Sequence, residues 1–159
     1  MILRRIEGFH WAVAALLVGV SLLLAGCAGP RRVSDKDIEV VSIGQVLKLL
    51  EGQQAEPDER KLLLIDARST QSYAAGHLPG AENLRLPDIN PERKRDERID
   101  SFDRIVVYAD NPGSASARAL VKRMLSMRYD DVRLFPGGYD QWVKAGLDVE
   151  TGSAEGTAP

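Results

Sequence analysis

A chain of 159 residues with 44% hydrophobic and 28% charged residues has apolar material for one globular core and too much charge for a polytopic membrane protein. The formal charge is −2; the first 26 residues hold Arg4, Arg5 and Glu7, so the remainder carries 19 Lys+Arg against 22 Asp+Glu, a balance of −3. A mildly acidic domain argues against general nucleic-acid binding, which rewards a basic face.

Residues 1–26 have the layout of a secretory leader, with Arg4 and Arg5, an apolar run from Trp11 to Ala25, and small residues before Cys27. A helix of that apolar length spans only about 22 Å against a hydrocarbon core of about 30 Å, so cleavage is expected rather than a lasting span. Leu24-Ala25-Gly26-Cys27 resembles the lipobox of bacterial lipoproteins. The resemblance implies that Cys27 becomes the first mature residue, its thiol a thioether and its amine an amide. Palmitate-type chains, at roughly 0.8 kcal/mol per buried methylene, would then hold the domain at a membrane. Ala28 stands where Asp would resemble an inner-membrane retention signal, so in a Gram-negative envelope the periplasmic face of the outer membrane is favoured. The alternative is a chance thiol at the end of an uncleaved anchor.

Residues 27–37 read as the lipidated terminus and a polar tether. Ile38–Val41 suits a first strand, and Ser42 a helix cap for a helix to about Leu50, with Ile43, Val46, Leu47 and Leu50 at helical spacing. Gly52–Arg60 reads as a loop, and Leu62–Ile65 as a strand buried on both faces. Asp66-Ala67-Arg68 follows it, then a short helix around Ser69–Ala75, the turn Gly76–Ala81 and a brief strand near Glu82–Leu84. Pro87–Ser101 is a charged loop with room for one helical turn; its interspersed charges read as a solvated face rather than a docking patch. Ile105–Tyr108 is a buried strand. After a small-residue loop, a helix begins near Ser116, its apolar face Ala117, Leu120, Val121, Met124 and Leu125. Val132–Phe135 is the last strand, Pro136-Gly137-Gly138 a turn and Tyr139–Ala145 a short helix; residues 151–159 read as a disordered tail. The alternation predicts one α/β domain over 38–150, a three-layer sandwich with a mostly parallel sheet of about five strands and right-handed crossovers.

Leu64-Ile65-Asp66-Ala67-Arg68, Tyr73, Gly76-His77-Leu78-Pro79-Gly80-Ala81-Glu82-Asn83, the strand Ile105–Tyr108, and Phe135-Pro136-Gly137-Gly138-Tyr139-Asp140-Gln141-Trp142 with Gly146 occur in the order and spacing of the rhodanese homology domain, which the chain resembles. The resemblance implies a catalytic loop after Tyr108, where a cysteine takes sulfane sulfur from a donor such as thiosulfate and becomes a persulfide. That chemistry needs a thiolate, favoured by a helix N-terminus and loop N–H groups. Here the position is Ala109, and Cys27 is the sole cysteine in the chain.

No catalytic residue is therefore assigned. A single cysteine excludes an internal disulfide, a CxxC pair and a thiolate zinc site; His77 is the only histidine outside the leader, and neither metal nor cofactor is expected. The loop residues Asp110, Asn111, Gly113, Ser114, Ala115 and Ser116 form a candidate oxyanion cradle, weakened because the arginine usual before the helix is missing. Ser114 and Ser116 read as helix caps, and Asp110 as a poor phosphoryl acceptor without a carboxylate cluster. Asp66 and Arg68 should pair to fix the loop after the strand, and His77 should tie down backbone. Gly80, Gly137 and Gly138 should supply unusual backbone angles, and Trp142 should be a core or rim aromatic. The expected function is non-catalytic binding of a protein or small oxyanion at the envelope. The alternative is a sulfurtransferase that borrows a partner's thiol.

Overall fold

The computed structural model describes residues 31–55 and 61–152. The leader, Cys27, residues 56–60 of the first long loop and residues 153–159 of the tail lie outside the described residues. Five strands, β1 (Glu39–Val40), β2 (Leu62–Asp66), β3 (Glu82–Asn83), β4 (Arg104–Tyr108) and β5 (Val132–Phe135), form one sheet in the order β1-β5-β4-β2-β3. Every neighbouring pair is parallel. The helices are α1 (Ile43–Ala55), α2 (Thr70–Ala75), α3 (Glu97–Asp100), α4 (Ala115–Ser126) and α5 (Gly138–Lys144).

The continuous apolar runs of β2 and β4 follow from burial on both faces, since strand side chains alternate. Leu63, Ile65, Ile105, Val107, Val132 and Leu134 face a core closed by Leu120, Val121 and Met124 of α4 and by Ile89 and Ile99. Leu64, Val106, Tyr108 and Phe135 face the opposite core, closed by Val46 of α1, Leu78 and Trp142 of α5. The result is the expected three-layer sandwich.

Three expectations need correction. Helix α1 runs beyond Leu50 and through Gly52 to Ala55. Ser42 and Gln45 start it reciprocally, the Ser42 N–H donating to the Gln45 side chain at 2.8 Å and the Gln45 N–H to Ser42 Oγ at 3.4 Å. One glycine costs such a helix only about 1 kcal/mol, and Gln53 in the last turn offsets it by accepting the Leu62 N–H at 2.6 Å. The charged loop is not wholly a solvated face. It keeps the one helical turn expected, as α3, but also contains a 3-10 turn (Leu86–Asp88), and Ile89 and Ile99 enter the core. Arg95 lies over the Tyr129 ring at 4.8 Å, bonds Asp100 and donates to the Arg128 carbonyl; Arg98 reaches Glu82 at 3.3 Å. Finally, residues 31–37 are not a free tether, for they fold into a 3-10 turn (Asp35–Asp37) laid against α4.

Candidate functional site

Strands β2 and β4 end side by side, with Asp66 opposite Tyr108 and the Ala67 N–H donating to the Tyr108 carbonyl at 2.9 Å. Ala109 comes next. It is 3% exposed and belongs to the core that holds Ile65, Val107 and Ala117. The segment that follows is bolted to the start of α5: the Tyr139 N–H donates to the Ala109 carbonyl at 2.8 Å and the Asp140 N–H to the Asp110 carbonyl at 2.9 Å. Asn111 Nδ2 adds a bond to Asp140 Oδ2 at 3.0 Å.

This close approach requires Gly138. Its φ is +59°, and a Cβ there would stand 2.7 Å from the Asp110 carbonyl oxygen and nearer still to that of Ala109. Gly137 differs from expectation. Its φ of −59° and ψ of −34° are ordinary right-handed values, and a Cβ would meet the Gln141 side chain. Gly80 (φ +70°) and Gly138 do have the positive φ expected of them, as does Gly146 (φ +71°).

Within the loop, Asn111 acts as an internal ligand. Its carbonyl accepts the Ser114 N–H at 3.0 Å, its Oδ1 accepts the Gly113 N–H at 3.0 Å, and its own N–H donates to Ser114 Oγ at 3.2 Å. Ser114 holds the N-cap position of α4 in an extended conformation, but its hydroxyl is turned back to Asn111 and makes no cap bond to the helix. Ser116 stands inside the first turn, exposed, beside exposed Ala115. Neither serine is the cap expected of it. Three N–H groups of the candidate cradle are thus engaged inside the loop itself.

Arg68 is the hub beneath the loop. The Asp66 carboxylate, fully buried, accepts from the Arg68 backbone N–H at 2.9 Å, from Nε at 3.0 Å and from Nη2 at 2.7 Å. Arg68 also donates to the Gly76 carbonyl, stacks on the Tyr139 ring at 4.1 Å and has Nη1 3.8 Å from Asp110 Oδ1. Burial works against the guanidinium charge, but the hydrogen bonds and charge of Asp66 outweigh it and hold the pKa above its ordinary value. Tyr108 is pushed strongly upward, first by burial and then by the Asp66 charge, and its hydroxyl accepts the Leu78 N–H at 3.0 Å. It stays a neutral phenol.

His77 is tied to two backbone segments. Nδ1 lies 2.9 Å from the Tyr73 carbonyl, an acceptor only, so that nitrogen carries the proton; the ring stacks on Tyr73 at 3.8 Å. Its backbone exchanges hydrogen bonds with Glu150 at 2.8 and 2.9 Å, and the Glu150 side chain accepts the Gly80 N–H at 2.9 Å. Trp142 is 3% exposed and donates through Nε1 to the Asp148 carbonyl at 2.7 Å.

Four participants were not singled out from sequence: Asn83, whose Nδ2 bonds the Asp66 and Arg68 carbonyls at 2.9 and 3.1 Å, Tyr139, Asp140 and Glu150. Asn83 and Tyr139 lie within the resembling motifs, which could have pointed to them. Asp140 lies in the same motif as Tyr139, whereas Glu150 carries no local sequence signature. Among the described residues no group of three or more His, Cys, Asp or Glu could hold a metal ion.

Fold and site together define a single α/β domain with loops gathered at the carboxyl ends of β2 and β4, and with Ala109 directly after β4. The rhodanese-like domain model matches residues 44–145, and the chain belongs to that family. It is 30% identical over 105 residues to the thiosulfate sulfurtransferase GlpE of Pseudoalteromonas translucida, covering 66% of this chain and 89% of that protein. Among solved structures it resembles the BH2092 protein of Bacillus halodurans, with a TM-score of 0.58, 21% identity, and 73% of this chain and 79% of that one covered. It also resembles a thiosulfate sulfurtransferase of Pseudomonas aeruginosa, with a TM-score of 0.55, 24% identity, and 77% of this chain but 21% of that one covered. These structural likenesses speak to the fold.

Proposed function

We propose that this chain is a non-catalytic rhodanese-like module, anchored to a bacterial envelope through lipidated Cys27, that works by binding a protein partner at the loop after β4. The observation that carries this is Ala109 at the end of β4 in a chain whose only cysteine is Cys27. Sulfur transfer from thiosulfate needs a thiolate to attack the sulfane sulfur, forming an S–S bond as sulfite leaves with the electron pair of the broken one. A methyl group has no lone pair for this.

Two features favour protein binding over oxyanion binding. The loop N–H groups of Asn111, Gly113 and Ser114 already have acceptors within the chain, and half-buried Asp110 and exposed Asp140 repel anions. A loop held by Asn111, Gly138 and Asp140 presents a fixed surface, so a partner spends little ordering entropy on it. Its acidic rim suits a cationic segment of that partner.

The test is a photo-crosslinker at exposed Pro112 in cells carrying the full-length protein. One dominant neighbour, lost when Asp110→Lys reverses the rim charge, supports the reading; a diffuse set unchanged by that substitution contradicts it. The second reading, sulfurtransfer with a partner's thiol, draws on the similarity to GlpE. It predicts that turnover from thiosulfate to cyanide appears only when the captured partner is added, and disappears when that partner's cysteines are alkylated.

A further inference from the structure

Residues 31–38 are fastened to one end of the domain. The Arg31 N–H donates at 3.3 Å to the carbonyl of Ser126, the last residue of α4. Arg31 Nη2 reaches Asp37 Oδ1 at 3.2 Å, and Ser34 donates to Asp37 Oδ2 from its backbone at 2.8 Å and its hydroxyl at 2.7 Å. Asp35 lies 3.0 Å from Lys122 Nζ and 3.5 Å from Arg118 Nη1, both on α4. Ile38 then enters the core with Leu120, Val121 and Met124. These contacts make a strap rather than a swivel.

The topology gives the strap a direction. Helix α4 connects parallel strands β4 and β5, so it runs back against them: Ala115 lies at the mouth, with the loop after β4, and Ser126 at the opposite base of the sheet. At 1.5 Å per residue the helix separates the two by about 18 Å. Cys27 precedes Arg31 by four residues, a reach of at most about 14 Å. Whatever is attached to Cys27 is therefore held near the base. Exposed Arg31, Arg32, Lys36 and Arg128 stand there among exposed Asp35, Asp37 and Asp130, a mixed-charge surface whose arginines and lysine can meet anionic headgroups.

Resting on the proposed lipidation of Cys27, we infer that the strap gives the domain a fixed stance, its base (Arg31, Arg32, Ser126 and Arg128) against the lipid headgroups and its mouth opening away from the bilayer. The mouth then serves a soluble partner, or one that projects well beyond the headgroups, and not a segment buried in the same membrane.

The test uses full-length lipidated protein in vesicles containing anionic phospholipid and a headgroup-labelled quencher. A fluorophore is placed on a cysteine introduced at exposed Asp130 (base) or exposed Ser116 (mouth). Because the sites differ by about one helix length, quenching should be about threefold or more stronger at Asp130→Cys. Adding Asp35→Lys, which sets like charge against Arg118 and Lys122, should level the two signals while the protein stays on the vesicles. Equal quenching with the protein bound, or stronger quenching at Ser116→Cys, overturns the stance alone. Wild-type protein that never joins the membrane fraction, or that stays there after Cys27→Ser, overturns the anchoring and the stance with it.

Discussion

Gly138→Ala is the sharpest perturbation of the mouth. The residue sits at φ +59°, and its Cβ would stand 2.7 Å from the Asp110 carbonyl oxygen, a backbone atom that no rotamer change can move. Left-handed geometry costs alanine about 1–2 kcal/mol. Relieving the clash parts α5 from the loop and breaks the bonds from Tyr139 N to Ala109 O and Asp140 N to Asp110 O, at about 1 kcal/mol each. The expected loss is about 3–4 kcal/mol, a large share of the about 5–15 kcal/mol typical of a domain. Denaturant unfolding should report it as a lower midpoint at unchanged slope, and hydrogen exchange should quicken at Tyr139 and Asp140. Gly137→Ala is the control, because its backbone is right-handed and its Cβ meets only the exposed, flexible Gln141 side chain; it should cost under about 1 kcal/mol. Equal losses for the two variants, or a loss below about 1 kcal/mol for Gly138→Ala, would refute the close-approach argument.

Arg68→Met alone leaves the Asp66 carboxylate buried without its cation and should cost about 3–5 kcal/mol, whereas Asp66→Leu with Arg68→Met should cost less than that single change; a double-mutant cycle without coupling contradicts the hub. Ala109→Cys should yield a slow thiol with a pKa at or above about 8.5, because it is buried, followed by Asp110, and near N–H groups already engaged by Asn111 and Ser114; alkylation rates against pH measure it, and a pKa below about 7 would sink the idea. Asp35 is held below its ordinary 3.8 by its hydrogen bond to Lys122 and the nearby charges, and Asp37 by its bonds to Ser34. Depressed carboxyls contribute fully above the ordinary value and lose that contribution as pH falls through the lower folded one. Hydrogen-exchange protection over residues 31–38, relative to the intrinsic rate at each pH, should therefore hold at pH 5 and above and fall only below about 3.8; loss of protection between pH 5 and 7 would rule out these carboxylates as the fastening.

The sandwich was legible because burial on both faces of a parallel sheet leaves unbroken apolar runs at Leu62–Ile65 and Ile105–Tyr108, and the apolar face of α4 repeats at helical spacing. Short-range capping was legible only in part. Ser42 starts α1, as its place before Ile43 suggested, whereas Ser114 in a similar place bonds Asn111, because the loop behind it competes for the hydroxyl. Gly52 looked like a breaker, and only the long-range bond from Leu62 to Gln53 shows why α1 continues past it. Likewise a run of charges does not reveal that Arg95 reaches Tyr129 and the Arg128 carbonyl, or that Asp35 reaches α4. Local pattern carries propensity; the partners of polar side chains are set by tertiary placement.

On the proposed function, the mouth persists without persulfide chemistry. Full-length protein, incubated with thiosulfate and cyanide beside an active thiosulfate sulfurtransferase, should form thiocyanate at the buffer rate and show no mass gain of one sulfur atom. Turnover above buffer by the purified protein alone, or a persulfide recovered on any of its residues, would contradict the account.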